Sequence, residues 1–145
     1  MSFSDNKFQA RRYFEEVVNQ GNLALIDELF AATHVCYDPA RPEGTHGLAS
    51  LKEHVLDLRK NFLDAHYTID DQLAEGDKVV TRWTFYGTRK SDPRFMSALS
   101  HPVVMNGMTI SRFVNGKAVE SWIVYDRLMM MQQFGTVGLQ AHVVL

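Results

Sequence analysis

What this sequence lacks closes off several classes of function. It has one cysteine, Cys36, in 145 residues, so no internal disulfide can form and a disulfide-stapled secreted scaffold is excluded. No apolar run approaches the roughly 20 residues that a membrane-spanning helix requires. The first dozen residues, Met1 to Arg12, are polar and hold no apolar segment of the kind a secretory signal carries. Together these features predict a cytoplasmic protein with no membrane partner. Charge of one sign is missing too. Fifteen Lys and Arg face 17 Asp and Glu, for a net charge of −2. The basic residues are scattered among acids, which leaves no positive stripe to neutralise phosphates and predicts no nucleic-acid partner. The six histidines, His34, His46, His54, His66, His101 and His142, show no close ligand spacing of the zinc-site kind. There is no glycine-rich phosphate loop, no Ser-His-Asp arrangement and no paired-cysteine motif. No metal and no cofactor are therefore expected.

What is present suits one globular domain over 1–145. A chain this long buries roughly 70% of its unfolded surface and needs no staple. Ala10, Phe14, Val17 and Val18 form one stripe of a helix over 8–20, which Gly21 can terminate. Asn22 can cap a second helix, 23–31, with Leu25, Ile26, Leu29 and Phe30 on one side. Pro39, Pro42, Gly44 and Gly47 make 37–47 read as a loop. Leu48, Leu51, Val55, Leu58 and Phe62 then give the clearest amphipathic helix in the chain. After His66 the period changes to two. Tyr67, Ile69 and Leu73 predict a strand and Glu75-Gly76-Asp77 a turn, followed by a strand over 79–89 and a break over 91–101. A strand over 103–114 meets Asn115-Gly116, a strong hairpin signal, and returns over 117–126. A short helix over 128–134 ends at Gly135. Helices followed by an antiparallel meander predict an α+β fold whose curved sheet closes over the helices around an apolar pocket.

The run Gly116-Lys117-Ala118-Val119-Glu120-Ser121-Trp122-Ile123-Val124-Tyr125-Asp126, with Leu128 and Gln132-Gln133-Phe134-Gly135 after it, resembles the C-terminal signature of the SnoaL-like polyketide cyclases. The segment Ala74 to Thr84 resembles that family's middle strand, and Gly21, Asn22, Leu25 and Leu29-Phe30 its opening. The resemblance implies a cone-shaped α+β barrel of the nuclear transport factor 2-like kind. It also implies a cofactor-free intramolecular aldol condensation, in which an aspartate removes a proton beside a carbonyl. That aspartate falls on Asp126. The sequence departs from the pattern at Arg89, where a histidine often follows a Gly-Thr pair. It departs again at Ser97 to His101, where a Pro-Thr-Gly turn is common, and at Arg112, where the cyclases hold a ligand-contacting histidine.

Asp126 reads in two ways, as a general base whose proton affinity burial would raise, or as the cap of the terminal helix. Arg112 is the candidate for holding an oxyanion. A two-residue turn at Asn115-Gly116 would set it opposite Val119 and away from Asp126. A three-residue turn with Gly116 in a bulge would set it opposite Ala118 and unite the two, and this second register is the one favoured. Tyr37, Trp83, Phe85, Arg89, Met108 and Trp122 are the candidate wall of a substrate site, with plain core as the competing reading for Trp83 and Phe85. His46 and His101 fall in predicted loops and read more simply as surface. Adjacent Met129, Met130 and Met131 cannot all face one way, and with Leu139, Val143, Val144 and Leu145 they predict a homodimer. The expected function is a cyclase or isomerase acting on a small apolar carbonyl compound. The alternative is a non-catalytic ligand-binding or dimerisation module.

Overall fold

The computed structural model describes residues 3–89 and 101–133. Of the break expected over 91–101, residues 91–100 lie outside the described residues, as do Gly135 and the apolar tail, while His101, expected in the break, is already the first residue of a strand. The chain opens with helix α1 (Phe3–Arg12), which continues as a π-helical turn over Tyr13–Val18. A 3₁₀ turn (Leu23–Leu25) leads into the short α2 (Ile26–Leu29), and α3 spans Leu48–Asn61. Six strands, β1 (Phe30–Asp38), β2 (Arg41–His46), β3 (Phe62–Glu75), β4 (Lys78–Arg89), β5 (His101–Val114) and β6 (Lys117–Tyr125), form one sheet in the order β2-β1-β6-β5-β4-β3. Helix α4 (Arg127–Gln133) follows β6 directly. This is the expected α+β architecture, with the sheet curved but not closed, since β2 and β3 remain its two edges. Among the described residues no helix is long and apolar enough to cross a membrane.

Two expectations fail at the second helix and the loop after it. The helix stops at Leu29, and Phe30 is already extended, at φ −122° and ψ 143°. Residues 30–38 form β1, which lies parallel to β6, with Cys36 beside Ser121 and Tyr37 beside Trp122. Nothing near 30–38 in sequence supplies that partner, so local patterning misses the strand. The predicted loop is the far half of a hairpin, because β2 pairs back antiparallel on β1. Pro42 is tolerated because β2 is an edge strand, where a missing N–H costs no ladder bond.

The β3 strand runs longer than its pattern suggests and changes phase on the way. Its pairing with β4 slips between Ile69 and Asp71, so Tyr67 and Ile69 point inward but Leu73 is 67% exposed. Gln72 takes the inward position, donating to Thr81 Oγ1 at 3.2 Å.

The helices are tied to the sheet by polar contacts at their ends. Asn19 reads the backbone of Tyr67 as a strand neighbour would, accepting from its N–H at 2.7 Å and donating to its carbonyl at 2.9 Å. Arg59 of α3 donates to the carbonyls of Val18 and Asn19, at 2.6 and 3.0 Å, which helix termination would otherwise leave open. Between them sits an apolar core that includes Val17, Val18, Ile26, Leu29, Val55, Val79 and Phe113. A second cluster, Phe14, Trp83 and Phe85, packs edge-on against Tyr67 and Phe62.

Trp83 lies over Gly107, its partner on β5, and donates from Nε1 to Thr109 at 3.0 Å. A Cβ at Gly107 would sit 2.4 Å from the indole and 2.7 Å from the Val124 carbonyl. Gly107→Ala should therefore force the ring off its bond and destabilise the fold by about 1–3 kcal/mol, the usual cost of overpacking, in urea unfolding.

Candidate functional site

The concave face of the sheet and the overlying helices frame a partly open cavity of about 310 Å³. Which side chains reach it depends on the β5–β6 hairpin. Asn115 and Gly116 both have positive φ, 50° and 80°, so the turn has two residues of the mirror-image kind that matches strand twist. Val114 pairs with Lys117 and Phe113 with Ala118, and then the register slips so that Arg112 faces Glu120. The bulge therefore sits at Val119 within β6, not at Gly116 as the favoured register required. Below it Ser121, Ile123 and Tyr125 line the cavity, as do Thr109, Ser111 and Phe113 on β5.

This phase separates the candidate residues. Trp83 and Phe85 form part of the cavity wall. Arg112 does not, because it stands on the outer face and donates from Nε to Glu120 at 2.8 Å. Met108, 47% exposed, shares that outer face, as do Tyr37 and Trp122, whose rings stack at 6.2 Å. Arg89 ends β4 in phase with Phe85, paired with Phe62 and His101. Asp126 follows the last residue of β6 and is exposed, and its Oδ1 accepts the Met129 N–H at 2.9 Å. That contact is the N-cap of α4, and Arg112 and Asp126 are not brought together. The methionines divide as well, with Met129 outward and Met130 on the cavity wall.

The cavity's polar groups come largely from residues the sequence pattern did not single out. His34 on β1 is 2% exposed, and its Nε2 lies 2.9 Å from Ser121 Oγ. Ser121 Oγ lies in turn 3.4 Å from Ser111 Oγ. Burial pushes the imidazole down to about 4, although Glu120 opposes the shift. His34 is therefore neutral near pH 7. Burial pushes the Cys36 thiol up to about 11, with Asp38 adding to it, so Cys36 is no nucleophile at neutral pH. Burial likewise raises the Tyr13 and Tyr67 hydroxyls, and to a lesser degree that of Tyr125. All three remain protonated. Among the described lining residues the one carboxylate is Asp38, near the end of β1. Its Oδ1 accepts the Ala40 and Arg41 amides at 2.7 and 3.1 Å, which fixes the β1–β2 turn. Among the described residues no three His, Cys, Asp or Glu side chains group to hold a metal ion.

Residues 8–134 match the profile of the SnoaL-like polyketide cyclases. The chain belongs to that family. A candidate polyketide cyclase from Acidithiobacillus ferrooxidans is 31% identical, with a TM-score of 0.80 over 94% of this chain and 99% of that one. IdmH from Streptomyces antibioticus, another candidate polyketide cyclase, is 26% identical, with a TM-score of 0.76 over 90% and 98%. TsrD from Streptomyces laurentii shares the fold at 20% identity and a TM-score of 0.80, over 94% and 99%. No curated protein matches the sequence.

The SnoaL-like signature has a direct structural meaning in this chain. Gly116 makes the turn, Asp126 caps α4, and Gln133 covers the edge of β5 where β6 has ended. Its side chain accepts from the Val104 N–H and donates to the Val104 carbonyl, each at 2.9 Å, replacing a strand partner.

The buried neutral His34 gives a pH dependence whose sign is fixed. Its folded value lies below the ordinary 6.5, so below pH 6.5 the unfolded chain takes up the proton first. Stability should fall as pH drops from about 6.5 to about 4, by roughly 3 kcal/mol for a shift of this size. Urea unfolding at a series of pH values should show this slope flattened in His34→Phe relative to the parent.

Proposed function

We propose that this SnoaL-like chain is a cofactor-free cyclase or isomerase acting on a small, largely apolar carbonyl compound held in the cavity. The observation that carries this is the chemistry of the cavity: aromatic walls, protonated hydroxyls inside, and a carboxylate, Asp38, among the residues that line it. The aromatic walls suit the apolar body of a neutral, oxygen-bearing ligand, while the charged groups of the lining, Asp38 and Arg41, are paired positions at the β1–β2 end of the cavity. The volume falls at the lower end of the usual 300–1,000 Å³ range for ligand sites.

In this reading Asp38 removes the proton beside the carbonyl. The two amides on Oδ1 orient the carboxylate and leave Oδ2 to take the proton. Asp126, the base that the family resemblance implies, keeps the capping role. The test is exchange of the α-protons of 1-tetralone, a neutral ketone, with deuterated water at neutral pH, followed by NMR on the purified chain. Asp38→Asn should slow catalysed exchange by a factor on the order of 10² or more. Asp126→Asn should leave exchange near the parent rate and the cap largely intact, while Asp126→Ala should lower stability by about 1 kcal/mol through loss of the cap. Loss of exchange in Asp126→Asn alone would return the base to the family position. A second reading, a binding module without catalysis, draws support from the capping of Asp126 and the pairing of Arg112 with Glu120 on the outer face. The parent chain would then bind 1-tetralone without accelerating exchange of its protons.

We also propose a homodimer, formed through the outer face of the sheet. Met108, Ile110 and Val124 are 47%, 36% and 60% exposed on adjacent strands, beside the Tyr37–Trp122 stack. A contiguous apolar surface of this kind favours a partner. Sedimentation at micromolar concentration should give a dimer mass that Val124→Glu converts to monomer. A parent chain that is strictly monomeric would sink the idea.

A further inference from the structure

We infer that the hydrogen-bonded chain His34–Ser121–Ser111 is the subsite that receives the oxygen of a carbonyl or phenolic ligand. This inference rests on the reading of the cavity as a ligand site and adds where the ligand's polar end lies. The three side chains come from three neighbouring strands, β1, β6 and β5. Ser121 pairs with Ser111 on one side and with Cys36, two residues beyond His34, on the other. All three line the cavity. Around them the surface is apolar: the Phe30 ring meets His34 edge-on at 4.8 Å, and Phe113 and Ala118 flank the serines.

The donor count leaves a proton for the ligand. Each serine hydroxyl has one proton and two acceptor lone pairs, and a neutral imidazole has one donor and one acceptor nitrogen. If His34 Nε2 carries its proton, it donates to Ser121, and both serine protons remain for Ser111, Ser121 and a ligand to share. If Nε2 is the acceptor, it takes the Ser121 proton and the Ser111 proton remains. In both cases the Ser111–Ser121 contact, at 3.4 Å, is the longest link and the one a better-placed ligand oxygen would replace. The subsite offers hydrogen bonds without a formal charge, because the imidazole is neutral. It would therefore accept a ketone, an enol or a phenol, and would not select for a carboxylate or phosphate. Arg112, the cation expected to fill such a role, stands on the opposite face of the sheet.

The competing account is that the chain only ties three strands together, and one comparison separates the two. Binding of 2-naphthol and of naphthalene to the full-length chain would be measured by fluorescence titration, for the parent and for Ser121→Ala, Ser111→Ala and His34→Phe. The subsite predicts that the parent prefers 2-naphthol by about five- to tenfold, the worth of one or two buried neutral hydrogen bonds. Ser121→Ala and His34→Phe should lose that preference while keeping the parent's affinity for naphthalene, which also reports that the cavity is intact. If a variant fails to fold, Ser111→Ala reads the same preference at the other end of the chain. Naphthalene bound with no preference for 2-naphthol in the parent, or a preference unchanged in every folded variant, overturns the subsite and leaves the cavity reading standing. A parent chain that binds neither compound overturns both.

Discussion

The bulge at Val119 decides which half of β6 the cavity sees, and with it the chemistry available there. In a sheet with one face over a cavity, a shift of one residue exchanges every inward side chain for its outward neighbour. The Asn115-Gly116 turn alone would carry Ala118 and Glu120 inward together. The extra residue at Val119 breaks that phase, keeping Ala118 inside, turning Glu120 out to Arg112, and bringing Ser121 in beside His34. A charged pair is thereby held on the outer face, and a neutral polar group takes the buried position. Burying the ion pair would have meant desolvating two charges, which a serine and an uncharged imidazole avoid.

β1 depends on that arrangement and completes it. Its pairing with β6 is irregular over the same stretch, matching Phe30 to Ala118 and then Val35 to Glu120, so β1 accommodates the bulge with extra residues of its own. His34 falls at the end of this irregular stretch. Its carbonyl accepts the Gly47 N–H at 2.9 Å, which ties the start of α3 to the strand. The histidine's position is fixed from three directions: by β6 through Ser121, by the Phe30 ring, and by its own backbone. Such constraints keep an uncharged imidazole in one orientation without a carboxylate partner.

The fold was more legible in the sequence than the site. α3, the β4 and β5 strands and the Asn115-Gly116 turn declare themselves through local periodicity or turn chemistry, and the structure has them close to where the pattern predicts. Trp83 and Phe85 follow from the same alternation. β1 was not legible, because its partner is parallel and some 85 residues away. A helix-like apolar spacing through Leu25, Ile26, Leu29 and Phe30 runs straight into it. Losing β1 meant losing His34 and Asp38 as cavity residues, and reading Tyr37 as loop. The bulge at Val119 was equally hidden, since no residue with a turn preference marks it. That misplaced Arg112, Met108 and Trp122. One signal was available: Ser121, a small polar residue in the β-rich run Ala118 to Tyr125, is an unusual choice for a central strand unless it has a buried partner.

The family signature can now be divided by physical role. Gly116 satisfies a backbone conformation, Asp126 the first free amides of α4, and Gln133 an exposed strand edge. Each meets a need that any sequence adopting this hairpin and terminal helix shares, whatever ligand it binds. A motif composed of turn, cap and edge residues therefore identifies the fold firmly and says little about the reaction. The residues that touch the cavity, among them His34, Ser111 and Ser121, lie in or beside it with no spacing rule to bind them. In this chain the side chains that could meet a ligand are therefore found on the inward positions of β1, β5 and β6 more than among the turn, cap and edge residues of the signature.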